Sequence, residues 1–136
     1  MGHTKNYGKQ GTKEAFQRGL EKRERQHNIN NLKQNIMNYP INKKCIIRTN
    51  RAGVFFATLA EFDATNRIAT LNDCRRLWYW SGAASLSQLA NEGVKNANSC
   101  KFTIVVPQMQ VTEVIEIIPC SDAAIANIEA VRVWKN

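Results

Sequence analysis

The sequence predicts an α+β protein: a small antiparallel β-sheet or partly open barrel with two short helices, preceded by a basic, partly helical N-terminal arm. Three observations lead there. The length of 136 residues suits one domain with an appendage. From Lys44 onward, short runs rich in β-branched and aromatic residues alternate with turn residues, the pattern of a meander. Charge divides sharply along the chain. Residues 1–44 hold ten basic and three acidic groups, a net +7, whereas residues 45–136 hold nine and eight, a net +1. The division sets the expected boundary between arm (1–44) and β-rich domain (45–136).

Within the arm, Gly2, Gly8 and Gly11 stand among Lys, Asn and Gln, a composition too polar to offset the entropy of ordering. Thr12 suits a helix N-cap, and Phe16 and Leu20 lie four apart on one helical face. Gly19 weakens that helix, and Glu21 to Arg25 offers no apolar member. A second weak stripe, Ile29, Leu32, Ile36 and Met37, ends at Tyr39-Pro40. Two short helices are expected here, both needing something to dock on.

In the domain, Cys45–Arg48 reads as a strand, Asn50–Gly53 as a turn, Val54–Phe62 as a second strand and Asp63–Arg67 as the next turn. Ile68–Leu71 returns, Asn72-Asp73 reads as a tight connection, and Cys74–Trp80 follows as a further strand. Ser85 and Gly93 bracket a two-turn helix through Leu86 and Leu89. Lys101–Val106 and Gln108–Ile118 read as strands parted at Pro107, the second central because both its faces are largely apolar. Ser121-Asp122 opens an Ala-rich helix, and Val131–Trp134 is expected as a last strand whose free edge invites self-association.

Most enzyme chemistries lack their residues. His3 and His27 both lie in the arm, so the domain has no imidazole for a Ser-His or Cys-His pair. Cys45, Cys74, Cys100 and Cys120 have no C-x-x-C spacing, and buried free thiols are expected rather than a metal site or disulfides. Neither a phosphate-binding glycine loop nor a dinucleotide fingerprint occurs. Glu113 and Glu116 would face opposite sides of a strand, and Glu61 and Asp63 fall at a turn. No enzyme, no cofactor and no metal are expected. No apolar run approaches the ~20 residues that span a bilayer, and Met1–Lys13 lacks the apolar core of a signal peptide, so a soluble protein with no membrane role is expected.

The densest chemistry lies in Cys74–Ala83. On a regular strand Arg76, Trp78 and Trp80 share one face, and Arg75, Leu77 and Tyr79 the other. Arginine beside tryptophan holds a base or phosphate, but it also closes a small core. Arg75, Arg76, Trp78 and Trp80 are therefore candidates for a ligand or polyanion site, with core packing as the competing role. In the arm, Lys5, Lys9, Lys13, Arg18, Lys22, Arg23 and Arg25 are candidates for contact with nucleic acid or a partner.

Arg-Arg-Leu-Trp-Tyr-Trp-Ser-Gly-Ala (Arg75–Ala83), Leu86-Ser-Gln-Leu89 and Thr112–Pro119 resemble a family of small uncharacterised proteins of tailed bacteriophages and prophages. The similarity extends over about residues 45–136, and the first 44 residues look like an extension. It implies a phage setting, in the host cytoplasm or the virion, and no reaction. The expected function is a non-enzymatic phage protein acting by binding and self-assembly, a homo-oligomer whose arm meets nucleic acid, another phage protein or another anionic partner. Two alternatives remain: a virion component whose arm wraps neighbouring subunits, and a nucleotide-sequestering counter-defence protein.

Overall fold

A computed structural model describes residues 13–27 and 39–136. The chain divides into two units at Asn38/Tyr39, and each is taken by itself. In the first, residues 13–27 form one uninterrupted helix, α1, which passes through Gly19 and the charged run after it. The expected second helix at Ile29–Met37, and Lys5 and Lys9, lie outside the described residues. Helix α1 buries nothing fully, and its cations Lys13, Arg18, Lys22, Arg23 and Arg25 are all exposed.

The second unit holds β1 (Lys44–Thr49), β2 (Val54–Asp63), β3 (Ile68–Tyr79), α2 (Leu86–Glu92), a 3-10 turn (Ala97–Ser99), β4 (Lys101–Val111), β5 (Val114–Pro119) and α3 (Asp122–Ala130). The five strands form one antiparallel sheet in the order β4-β3-β2-β1-β5. The fold is α+β, as expected. The strands are fewer and longer than the sequence pattern suggests.

Two predicted breaks are not breaks. Asn72-Asp73 lies inside β3: Thr58 pairs Asn72 and Phe56 pairs Arg75, so β3 carries one extra residue there, and Asp73 takes φ 48°. A bulge uses the same turn-favouring residues as a tight connection. Pro107 likewise lies inside β4, opposite Asp73 by register, and the chain turns instead at Thr112-Glu113, where Glu113 has φ 57°. Proline fits because β4 is an edge strand, paired with β3 on one side only, and an edge tolerates a residue without an N–H. The strand expected at the sheet centre is thus two strands, β4 and β5, one at each edge. Apolar residues on both faces of β5 reflect edge positions, with Ile115 exposed. The expected terminal strand shrinks to a single parallel bridge, Phe102 to Val133.

The sheet is curled but not closed into a barrel. Glu113 accepts a hydrogen bond from Asn50 N–H, and the next residue, Val114, donates to the Arg67 carbonyl at 3.0 Å. Asn50 precedes β2 and Arg67 follows it, so two adjacent residues touch both ends of a ten-residue strand. Only a strongly bent β2–β3 hairpin permits that. Bulges at Asp73 on β3 and between Leu59 and Glu61 on β2 supply the bend. Inside the curl lies one core, built on Cys45, Ile47, Phe55, Ala57, Leu59, Leu71 and Cys74. Tyr39 packs edge-on against Phe62, with ring centroids 4.9 Å apart, and Ile41 adds to the same core.

The outer face carries a second core against the helices, with Ile46, Phe56, Leu77 and Phe102 from the sheet meeting Leu89, Ala90 and Ile128. Both helices start where expected. Ser85 Oγ accepts from Gln88 N–H, and Ser121 Oγ accepts from Ala124 N–H, each at 3.1 Å. Gly93 ends α2 at φ 78°.

Candidate functional site

The Arg-Arg-Leu-Trp-Tyr-Trp segment ends β3, and a second irregularity decides where its side chains go. Leu77 pairs Phe102 and Tyr79 pairs Lys101, so Trp78 and Tyr79 together oppose a single residue. The extra residue shifts the alternation by one. Arg75, Leu77 and Trp80 therefore belong to the helix-facing core, with Trp80 packed against it rather than sharing a face with Arg76 and Trp78. Regular alternation fails for Trp80 because it assumes an unbroken strand.

Arg75 is 4% exposed and surrounded by carbonyls. Its Nε donates to Thr103 O at 2.9 Å and Nη1 to Ile128 O at 2.9 Å, while Nη2 donates to Val131 O at 2.6 Å and Phe102 O at 3.4 Å. The guanidinium carbon lies 5.4 Å from the Phe102 ring centroid. Two of these oxygens, those of Ile128 and Val131, lie at the C-terminal end of α3, where the dipole favours a cation; Ile128 O also accepts from the Val131 N–H at 3.2 Å. The other two come from β4 between Phe102 and Val105, where another register shift disturbs the ladder. Burial lowers the Arg75 pKa, yet the carbonyls hold the charged form in place.

Beside Arg75 lies a hollow of about 330 Å³ lined by Lys44, Phe56, Asp73, Arg75, Val105 and Glu129. Lys44 Nζ stands 5.2 Å from the Phe56 ring centroid, so the hollow presents two cations and two carboxylates around an aromatic floor. On the opposite side of β3, Arg76 is exposed and lies 4.9 Å from the centroid of the buried Phe55 ring. Its backbone N–H donates to Thr103 Oγ1 at 3.1 Å. Trp78 is 63% exposed. The four candidates from the segment are thus split two and two across the sheet, and no single cavity gathers them.

Other chemistry-bearing groups are occupied structurally. Glu113 sits in the β4–β5 turn and accepts from Arg51 Nε at 2.9 Å and from Arg51 Nη2; these bonds hold its carboxyl below the usual range. Glu116 lies 3.9 Å from Arg48. The Asn66 side-chain amide donates to Asp63 Oδ2 at 2.9 Å, and the Asn66 and Thr65 N–H groups donate to Oδ1; together these bonds lower the Asp63 pKa and close the β2–β3 turn. All four cysteines are free thiols. Burial pushes Cys45 up to about 12, and Cys74 and Cys120 up to about 11. Among the described residues no three metal-ligating side chains gather, and no helix is long and apolar enough to cross a membrane.

Sequence reasoning missed Lys44, Lys101, Thr103 and Trp134. Lys101 Nζ lies 5.5 Å from the Trp134 ring centroid. Nothing in the spacing of two residues 33 positions apart announces such a pairing; it depends on the tail folding back along β4.

Neither the curated proteins nor the solved structures include a match to this chain. A family model described as a domain of unknown function, DUF6948, matches residues 42–128, from the turn before β1 into α3. That span is well over half of the chain and takes in the whole sheet, α2 and most of α3, so the protein belongs to the DUF6948 family.

Proposed function

We propose that this is a non-enzymatic binding protein whose basic N-terminal segment contacts nucleic acid or another anionic partner. The observation that carries the reading is the exposure of Lys13, Arg18, Lys22, Arg23 and Arg25 along α1, a helix with no apolar face wide enough to be buried in its own unit. In the second unit three cations are committed: Arg48 and Arg51 lie against glutamates and Arg75 is caged by carbonyls. Excess positive charge that has no structural duty is available to phosphates.

The resemblance of residues 45–136 to phage and prophage proteins supports a setting in the infected cell, in the host cytoplasm or the virion. The free edges of β5 and of the middle of β4 support self-assembly of the body into a homo-oligomer. Light scattering at micromolar concentration checks this last part, and a monomeric mass removes it.

Titration of the full chain with a labelled DNA duplex at several salt concentrations tests the main reading. Affinity should fall steeply with salt, and replacing Arg18, Lys22, Arg23 and Arg25 with Gln should flatten the log-log slope by about 0.9 for every phosphate no longer neutralised. Binding that ignores both salt and these substitutions overturns it.

A further inference from the structure

We infer that the end of the body where β3, β4 and the C-terminal tail meet is a stacking surface for single-stranded nucleic acid. Three large aromatic side chains are exposed there: Trp78 at 63%, Tyr79 at 51% and Trp134 at 46%. The bulge that places Trp78 and Tyr79 against one partner sets both beside Lys101, and the Lys101 ammonium lies 5.5 Å from the Trp134 ring. Aromatic, cation and aromatic thus follow one another across β3, β4 and the tail.

Trp134 is held in position rather than left on a loose end. Its N–H donates to Phe102 O at 2.8 Å, and Val133 bridges Phe102. Next to it a hollow of about 210 Å³ is lined by Asn98, Arg132, Trp134 and Lys135 among others, with no carboxylate in its wall. Exposed rings offer faces on which unpaired bases stack whatever their identity, and Lys101, Arg132 and Lys135 supply the charge that tracks a phosphate backbone.

The same features disfavour other occupants. A second copy set against this surface would bring Lys101, Arg132 and Lys135 towards their own counterparts. An acidic peptide would meet the cations but leave the ring faces wet. A duplex hides its base faces in the stack, so it gains only the electrostatic part. All of these residues belong to the second unit, and the inference does not rest on the reading given to α1.

The experiment uses the full chain carrying Arg18, Lys22, Arg23 and Arg25→Gln, so that any contact through α1 is suppressed. The probes are an oligothymidylate of about 12 nucleotides, a duplex of the same length, and vesicles containing phosphatidylserine, all at about 150 mM salt. The chain has three tryptophans, of which Trp78 and Trp134 are exposed, so intrinsic fluorescence reports stacking directly. Expected results are quenching by the single strand, weaker binding of the duplex, and about a tenfold loss of affinity in Trp134→Ala with recovery in Trp134→Tyr. Trp78→Ala should weaken binding comparably, and both variants should keep the parent's thermal midpoint to within a few degrees because the rings are exposed. Absence of quenching and binding, equal affinity for duplex and single strand, indifference to both tryptophan substitutions, or binding of vesicles alone overturns the inference.

Discussion

Arg75 illustrates how one residue type supports opposite readings. In sequence it stands beside Arg76 and Trp78 and suggests a polyanion site; in the fold its donors serve four backbone oxygens from β4, α3 and the tail. Replacing it with Leu removes all four bonds: Phe102 O keeps the Trp134 N–H and Ile128 O keeps the Val131 N–H, whereas Thr103 O and Val131 O lose the arginine donor, and a buried carbonyl left unpaired costs about 1–3 kcal/mol. Arg75→Leu should therefore lower the unfolding free energy by about 3 kcal/mol or more in urea melts, and Arg75→Lys by an intermediate amount, because a point charge cannot span the four acceptors. Arg76→Leu, at an exposed site over Phe55, should change stability by less than about 1 kcal/mol. Equal losses for the two arginines would refute the assignment of Arg75 as the structural one.

Cysteine titration makes a second residue-scale test. Native Cys45 holds its proton up to about 12, whereas an unfolded thiol releases it near 9.0. Between those values the unfolded state gains charge that the folded state resists, so stability is fully present below pH 9 and falls as pH rises through that window. Cys74 and Cys120 act in the same direction up to about 11. At pH 8, alkylation of Cys45 by iodoacetamide should be slow in the native protein and fast in denaturant; rapid native labelling would contradict the burial.

At the scale of elements, the helix ends of the second unit and the turns at Asn50–Gly53 and Asp63–Arg67 were legible, and the continuity of β3 through Asn72-Asp73 and of β4 through Pro107 was not. Ser85, Gly93 and Ser121 mark their helix ends because capping is local chemistry, complete within four residues. Asp73 and Pro107 mislead because a bulge or an edge strand accepts the same residues as a turn, and the partner strand decides which one forms. Asp73→Val forces a β-branched side chain to φ 48°, and should cost about 1–2 kcal/mol while Asp73→Gly is tolerated, as thermal melts would record. Gly93→Ala is a sharper case. Its φ is 78° and an added Cβ would run into Asn127 Oδ1, an atom already accepting from Val94 N–H at 2.8 Å. A loss of about 2 kcal/mol or more is expected in the same melts.

For the whole molecule, the two cores lie on opposite sides of one sheet and share its strands, so they should melt together. Leu59→Ala removes a fully buried side chain from inside the curl, and Leu89→Ala one from beneath the helices. Each should lower a single cooperative transition by about 2–5 kcal/mol, with circular dichroism and tryptophan fluorescence giving coincident curves. Separate transitions would show that the cores are independent. The curl also explains a charge distribution that looks uninformative in sequence. Glu113 and Arg51 are 62 residues apart, yet they meet because β4 and β5, the two edges of the sheet, are joined through Thr112-Glu113.

By itself, the sequence determined the α+β class, the caps at Ser85, Gly93 and Ser121, the turn at Asp63–Arg67 and the concentration of charge before residue 45, because each depends on composition or on neighbours a few residues away. Tertiary structure decided which turn residues became bulges, which strands became edges, and that Arg75 turns inward while Trp78 turns outward. It also brought Lys101 to Trp134. Those outcomes depend on pairing register and on the bend of a whole hairpin, and a single inserted residue reverses the face of every side chain after it.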